Sequence, residues 1–149
     1  MKIISHRGNL KGPNPSTENT PEQIDLCISK GYDVEIDVWC VNEDFYLGHD
    51  KPTYKISITF LLNRKKSLWV HCKNLECLSI LSNFGLNYFW HQEDDFTVTS
   101  QEFIWTYPNK RVAYTNQVIL DFSETVPYGF YRSSGIYGVC VDYVEEKIF

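Results

Sequence analysis

The sequence predicts an α/β fold built on a parallel sheet. The first half of the chain holds three strand candidates, and a segment with helix signals follows each of them. Strands that alternate with helices along the chain are typical of parallel sheets. The chain has 149 residues, of which 43% are hydrophobic, and it contains no repeat and no linker. Residues 1–149 are therefore predicted to form a single domain with its own core.

The first strand and helix are marked by clear local signals. Residues 2–5 form a short apolar strand candidate. After a turn-rich loop, Thr20 is placed to cap a helix and Pro21 to occupy its first turn. We expect this helix to run to about Lys30, because Gly31 is a typical residue just beyond a helix end.

The second strand carries the most informative pattern. Residues 33–39 alternate apolar and polar side chains with the two-residue period of a strand. Glu35 and Asp37 therefore project from the same face, with their Cα atoms roughly 6.5 to 7 Å apart. A strand with carboxylates on one face and apolar residues on the other has two chemically different surroundings.

The next strand candidate shows the same alternation and has helix candidates before and after it. Residues 57–63 indicate a short helix, and residues 68–73 alternate again as a strand. His71 and Lys73 share one face of that strand. Residues 75–83 then fit a helix.

The second half of the chain has a different character. Residues 87–92, 102–106, 117–122 and 136–142 are strand candidates, but their connections carry turn residues and no helical period. We therefore expect the outer helices to be missing there. A complete barrel of eight strand–helix units uses about 250 residues, more than this chain has. Either a (β/α) barrel is shortened, or another chain completes or covers the sheet.

Composition excludes several classes of protein. A net charge of -5 and an isoelectric point of about 5.3 provide no electrostatic surface for nucleic acid or an anionic membrane. No stretch approaches the ~18 apolar residues that span a bilayer, and no signal peptide is evident, so a cytoplasmic location is expected. The five cysteines form an odd set without a CxxC pair, which argues against a disulfide framework and a zinc knuckle.

Four residues have the chemistry of a divalent-cation site. Glu35 and Asp37 offer hard oxygen ligands suited to Mg²⁺ or Ca²⁺, and Glu18 is a candidate third ligand from the first loop. His71 is a softer fourth ligand that Mn²⁺ or Zn²⁺ accepts. On an isolated strand, a solvated carboxylate face would explain Glu35 and Asp37 better. Their place between two histidine motifs favours the metal instead.

Cations and imidazoles complete the chemistry of a phosphodiester site. His6 and His49 are the candidate general acid and base, because imidazole titrates near neutral pH. Arg7 and Lys73 are the candidates for binding the phosphoryl oxygens. Asp50 either orients His49 or simply begins the turn that follows it.

Two later residues are weaker candidates for the same site. His91 follows Tyr88-Phe89-Trp90 near the end of the strand candidate 87–92, and Asp142 ends the last candidate. In a parallel sheet both face the end at which α/β barrels keep their active sites. Solvation of an acidic loop explains the region around His91 equally well.

Four short motifs occur in the first fifty residues: Ile4-Ser5-His6-Arg7-Gly8, Glu18-Asn19-Thr20-Pro21, Val34-Glu35-Ile36-Asp37-Val38 and Leu47-Gly48-His49-Asp50. In order and spacing they resemble the glycerophosphodiester phosphodiesterases, relatives of the phosphatidylinositol-specific phospholipases C. The resemblance implies a TIM-type (β/α) barrel, here shortened, and a hydrolase of lipid metabolism. The family usually has Glu-x-Lys at the end of its third strand, whereas this chain has His71-Cys72-Lys73.

The resemblance implies a mechanism as well as a fold. An adjacent glycerol hydroxyl would attack phosphorus while one histidine removes its proton and the other protonates the leaving alkoxide. The alternative is a non-catalytic module that binds phosphate or a sugar phosphate on a reduced barrel. The two histidines favour the enzyme, and the short second half and His71 favour the module. A second copy of the chain that covers exposed sheet is compatible with both.

Overall fold

The computed structural model describes residues 1–110 and 114–145, which form a mixed α/β structure with ten strands and four helices. The strands are β1 (Lys2–His6), β2 (Asp33–Val41), β3 (Asp44–Leu47), β4 (Tyr54–Ile56), β5 (Leu68–Cys72), β6 (Tyr88–Phe89), β7 (Phe96–Val98), β8 (Ile104–Thr106), β9 (Gln117–Asp121) and β10 (Gly138–Val141). The helices are α1 (Pro21–Ser29), α2 (Ile58–Asn63), α3 (Leu75–Leu81) and α4 (Tyr128–Ser133). In the described part of the chain, no helix has the length and apolar character to cross a membrane.

Seven parallel strands form the centre of the sheet, in the order β6-β5-β2-β1-β10-β9-β8. The predicted α/β class is thereby confirmed. β3 pairs antiparallel with the end of β2, beyond the residues that pair with β1, and β4 pairs antiparallel with β3. At the other edge of the sheet, β7 pairs antiparallel with β8. No strand pair among the described residues closes this sheet into a ring. Instead, the Phe89 ring of β6 stacks on the Trp105 ring of β8, with centroids 4.7 Å apart.

The first three helices form where the sequence predicts them, because each begins at a polar cap. Thr20, Ser57 and Asn74 each accept a hydrogen bond from a backbone N–H in the first turn of α1, α2 and α3. Lys30 is the C-cap residue of α1, and Gly31 follows with φ 87°. These signals depend on a few neighbouring residues and survive in the folded protein.

The prediction that the outer helices are missing from the second half is wrong for α4. This helix joins β9 to β10 and buries Tyr128 and Tyr131, one turn apart. Its six residues are too few to show a helical period, and Pro127 at its start makes no side-chain cap. Packing of two tyrosines, not a local signal, therefore specifies the helix. Among the described residues between β6 and β9 no helix occurs, and residues 111–113 of that stretch lie outside them.

Alternation along the strands divides the core into two apolar clusters. One lies between the sheet and the helices and contains the apolar face of β2. The other lies on the opposite face of the sheet and consists of Ile4, Trp69, Phe89, Trp105, Val118, Leu120 and Cys140. These seven residues come from six parallel strands, so their side chains fill the concave side of the sheet. All five cysteines are buried and free, which confirms that no disulfide framework is present.

Candidate active site

Seven of the eight predicted site residues line one cavity of about 370 Å³ at the carboxyl ends of the parallel strands: His6, Arg7, Glu35, Asp37, His49, His71 and Lys73. Strand register explains much of this convergence. His6 lies beside Glu35 in the β1–β2 pair, and Asp37 lies beside His71 in the β2–β5 pair. The eighth residue, Glu18, contacts this group from behind Arg7 and does not line the cavity.

His6 is fixed by the carboxylate of Asp142, which directly follows β10. Its Nδ1 lies 2.8 Å from Oδ1 of Asp142, and Asn9 donates to the same oxygen at 2.8 Å. The Phe122 ring packs against the imidazole, with centroids 4.7 Å apart. Because Asp142 engages Nδ1, Nε2 is the nitrogen left to exchange a proton, and it lies 3.9 Å from Glu35 Oε2.

Burial and charge act in opposite directions on His6. Burial alone would lower the pKa of His6, but the hydrogen bond to Asp142 and the nearby Glu35 outweigh it and raise that pKa. The Asp142 carboxyl is also affected by burial, yet His6 and Asn9 hold its pKa below the ordinary value. The pair therefore favours the ionised state of both groups near neutral pH.

This pair gives stability a specific pH dependence in metal-free protein. The raised pKa of His6 adds stability below its ordinary value of 6.5, and that stability is lost as pH rises through the folded value. The lowered pKa of Asp142 adds stability above 3.8 that is lost in more acidic solution. We expect Asp142→Asn to cost about 1 to 2 kcal/mol more unfolding free energy at pH 5 than at pH 8. Urea unfolding at both pH values measures this difference, and an equal or larger cost at pH 8 would contradict it.

Glu35, Asp37 and His71 form a cluster with the geometry of a cation site. One ligand atom from each lies within 4.8 Å of the others, and all three side chains are largely buried. Nδ1 of His71 lies 3.2 Å from Asp37 Oδ1 and 3.9 Å from Glu35 Oε1. On its other side, His71 Nε2 is 3.2 Å from the backbone oxygen of His91.

The contacts of His71 restrict its protonation. A carbonyl oxygen only accepts, so Nε2 carries a proton that it donates to His91. Nδ1 faces the carboxylates of Asp37 and Glu35. A ring N–H donated to a backbone carbonyl is also the usual way that a metal-bound histidine is oriented.

The two carboxylates differ in their surroundings. Burial and the nearby charge of Asp37 raise the pKa of Glu35. Burial acts on Asp37 too, but His71, Lys73 and Arg7 outweigh it and lower the pKa of Asp37. Asp37 Oδ1 is buried and makes no hydrogen bond of good geometry. Its neighbours are instead His71 Nδ1 at 3.2 Å and the Lys73 ammonium at 3.5 Å.

Arg7 has a strained backbone conformation, and three acidic side chains hold it in place. It adopts φ 54°, a left-handed conformation unusual for arginine, and its backbone N–H lies 3.2 Å from Glu35 Oε2. Its Nε lies 3.3 Å from Asp37 Oδ2, and its Nη1 lies 3.4 Å from Glu18 Oε2. Asn9 donates to the other oxygen of Glu18 at 2.9 Å. Both oxygens of Glu18 are thus engaged by neighbouring side chains, outside the cluster of Glu35, Asp37 and His71.

Asn19 is a site residue to which the sequence analysis assigns no role. It also has a positive φ, of 56°, and its amide forms a matched pair of hydrogen bonds with Asp37. Nδ2 donates to Asp37 Oδ2 at 2.9 Å, and Oδ1 accepts from the Asp37 backbone N–H at 2.9 Å. Its place next to Glu18 in the second motif was the available signal. For Asn9 and Asp142, which meet 133 positions apart, only the folded sheet reveals the contact.

His49 lies at the end of the β3 hairpin strand and lines the cavity from the side. Gly48 precedes it with φ 147°, and a Cβ there would lie 2.2 Å from the backbone oxygen of Lys51. Nδ1 of His49 lies 2.7 Å from Oδ1 of Asp50, although the Asp50 side chain is 90% exposed. Asp50 therefore contacts His49, as one of the two sequence interpretations expects. His49 is the most exposed of the seven lining residues predicted from sequence and is the one best placed to meet an incoming ligand.

Lys73 and His91 complete the polar wall. Lys73 follows β5 and places its Nζ 3.5 Å from Asp37 Oδ1. His91 lies beyond β6, and burial together with the nearby His71 lowers its pKa. The opposite wall is apolar and comes from β8 and β9, where Trp105, Leu120 and Phe122 line the cavity.

Comparison with known proteins adds no family assignment. No protein-family model matches the sequence, and no curated protein matches it. The resemblance to the glycerophosphodiester phosphodiesterases therefore stays a prediction that rests on the four motifs.

Proposed function

We propose that this protein is a metal-assisted phosphodiester hydrolase of the glycerophosphodiester phosphodiesterase type. The observation that carries the proposal is the convergence, on one cavity, of a two-carboxylate and imidazole cluster, two further histidines and two cations. Its substrate would be a small phosphodiester linked to glycerol or a sugar. The seven parallel strands and the filled concave face support a shortened TIM-type barrel as the scaffold.

Glu35, Asp37 and His71 are the residues that would hold the divalent cation. Asp37 Oδ1 and His71 Nδ1 are buried 3.2 Å apart, and both are atoms that can bind such an ion. Two carboxylates suit Mg²⁺ or Ca²⁺, and the imidazole makes Mn²⁺ an equally good match. When bound, the cation neutralises the charge that develops on the phosphoryl oxygens. Glu18, a metal ligand in the sequence-based prediction, is better assigned to holding Arg7 in place.

Arg7 and Lys73 would bind the non-bridging oxygens of the phosphodiester. Both cations lie within 3.5 Å of Asp37, so their positions are fixed before a substrate enters. Preorganised positive charge lowers the barrier because it needs no rearrangement when the transition state forms. Arg7 offers the fork geometry that matches two phosphoryl oxygens, and Lys73 offers a point charge.

His6 and His49 would transfer the protons. One removes the proton of the attacking hydroxyl as the new P–O bond forms, and the other protonates the alkoxide as the old P–O bond breaks. If the attacking hydroxyl belongs to the substrate glycerol, the product is a cyclic phosphate that water can open. Asp142 fixes the orientation of His6, so His6 can act through Nε2.

The decisive test is hydrolysis of a glycerol-linked phosphodiester by the purified chain. We expect release of the alcohol with Mg²⁺, Ca²⁺ or Mn²⁺, and loss of that release when EDTA removes the cation. Phosphorus NMR identifies the product as a cyclic phosphate or a phosphomonoester. If the chain binds the cation and the substrate without cleaving it, the non-catalytic binding module becomes the correct description.

A further inference from the structure

A second cavity, of about 270 Å³, lies at the opposite end of the sheet. It is lined where strands begin, by Lys2 of β1, Asp33 of β2 and Trp69 of β5. The candidate active site lies where the same strands end, at His6 and His71. The apolar residues on the concave face, including Phe89 and Trp105, pack between the two ends. This lower cavity is therefore separate from the candidate active site.

The rim of the lower cavity is positively charged. Lys65 and Lys66 follow α2, line the cavity and are exposed to solvent. Neither forms an ion pair with a described residue, whereas Lys2 is paired with the buried Asp33 at 3.0 Å. The lining thus carries two uncompensated positive charges in a protein with a net charge of -5. Such a local concentration of charge attracts a small anion.

Asn87, one of the residues that line the cavity, has a buried polar atom that lacks a partner. Asn87 is 4% exposed, and its Oδ1 is buried without a hydrogen bond. The nearby carboxylate of Asp33 is already engaged by Lys2 and by the indole N–H of Trp69 at 3.1 Å. An unsatisfied buried acceptor is costly, and a ligand hydroxyl or N–H that donates to it removes the cost.

Aromatic rings form the remaining wall. The centroids of Phe103 and Tyr137 are 4.3 Å apart, and those of Trp69 and Phe103 are 5.1 Å apart. Stability alone explains why aromatic side chains close this end of the sheet. It does not explain why two unpaired lysines and an unsatisfied amide line the same cavity. Rings of this kind pack well against the apolar face of a sugar.

We propose that the lower cavity binds a small phosphorylated sugar. Lys65 and Lys66 would contact the phosphate, Asn87 would accept a hydrogen bond from a sugar hydroxyl, and the aromatic wall would cover the ring. The volume of about 270 Å³ lies just below the range of ligand cavities, ~300 to 1,000 Å³, so one phosphorylated ring is a better match than a dinucleotide. A free sugar phosphate and the ribose phosphate of a mononucleotide share this chemistry.

A local probe is needed to test the proposal, because Arg7 and Lys73 of the candidate active site would also attract phosphate. Trp69 lines the lower cavity, and its indole N–H, which donates to Asp33, gives its own signal in a ¹⁵N–¹H NMR spectrum. The metal-free 149-residue chain is titrated separately with glucose 6-phosphate, AMP, glucose and inorganic phosphate. The signal is assigned with Trp69→Phe.

We expect glucose 6-phosphate or AMP to shift the Trp69 signal with saturation, and the one that binds more tightly identifies the source of the sugar phosphate. Lys65→Gln combined with Lys66→Gln should weaken that binding at least about tenfold, because each loses a charge-assisted contact. Lys11→Gln combined with Lys51→Gln makes the same change of charge at exposed positions elsewhere and should leave binding unchanged.

Three results would overturn the proposal. The first is no saturable shift of the Trp69 signal with either phosphorylated probe at millimolar concentration. The second is a shift that is equally strong in the variant without Lys65 and Lys66. The third is equal binding of inorganic phosphate, which would identify an adventitious ion only. The four lysine substitutions change exposed side chains, and a folded NMR spectrum verifies each protein before titration.

Discussion

Replacing the two buried carboxylates, Glu35→Gln together with Asp37→Asn, is expected to abolish binding of the divalent cation. Two of the three ligand atoms in the cluster change from charged to neutral, so affinity for Mn²⁺ should fall more than about 100-fold. Calorimetric titration measures that loss directly. Metal-dependent hydrolysis should fall at least about 100-fold with it, because the developing phosphoryl charge loses several kcal/mol of stabilisation.

The same experiment has a stability readout that does not depend on a substrate. A cation at 100 times its Kd adds about 2.7 kcal/mol to the folded state, which raises Tm by roughly 5 to 10 °C for a chain of this size. Wild type should show this rise on adding Mn²⁺, and the double variant should not. Metal binding that survives the double substitution would contradict the assignment of the site.

Two control variants make the interpretation specific. Glu93→Gln with Asp94→Asn removes the same two charges from an exposed loop and should preserve metal binding. Glu18→Gln separates the two roles considered for that residue. If Glu18 only holds Arg7, metal affinity stays within a few-fold of wild type while binding of the phosphodiester weakens. If it is a ligand, affinity for the cation falls with that for the substrate.

The fold could be predicted where neighbouring residues carry a clear signal for a strand or a helix. The two-residue period of β2 and the polar caps of α1 and α2 depend on neighbouring residues, and all three elements are present. The β3–β4 hairpin, β7 and α4 were not predicted, because they are short and depend on contacts with distant strands. α4 in particular is specified by two tyrosines that pack into a core which the sequence does not display.

The site follows the same division between local pattern and tertiary contact. Alternation places Glu35 and Asp37 on one face, and the parallel register then brings His6 and His71 beside them. The sequence could not show that Glu18 turns toward Arg7, nor that Asp142 orients His6 across 136 positions. Such contacts depend on side-chain direction and on the order of strands in the sheet, which only folding determines.

Replacing His6 with glutamine is expected to lower the rate of hydrolysis by about 10² to 10⁴-fold while leaving the cation bound. Glutamine can still donate to Asp142, but it cannot exchange a proton near neutral pH. Equal affinity for Mn²⁺ in wild type and variant, measured by calorimetry, shows that the fold and the cluster are intact. His49→Gln should produce a loss of similar size, because the two histidines are assigned opposite halves of one proton transfer.

The leaving group then distinguishes the acid from the base. A glycerol-linked p-nitrophenyl phosphodiester releases an anion that needs no proton, whereas a glycerol-linked ethyl phosphodiester releases an alkoxide that does. The variant that lacks the general acid should recover most of its rate on the p-nitrophenyl ester, and the variant that lacks the base should stay slow on both. Full activity of both variants on the ethyl ester would remove the histidines from the mechanism. The cavity would then hold a phosphodiester by charge alone, through the cation, Arg7 and Lys73.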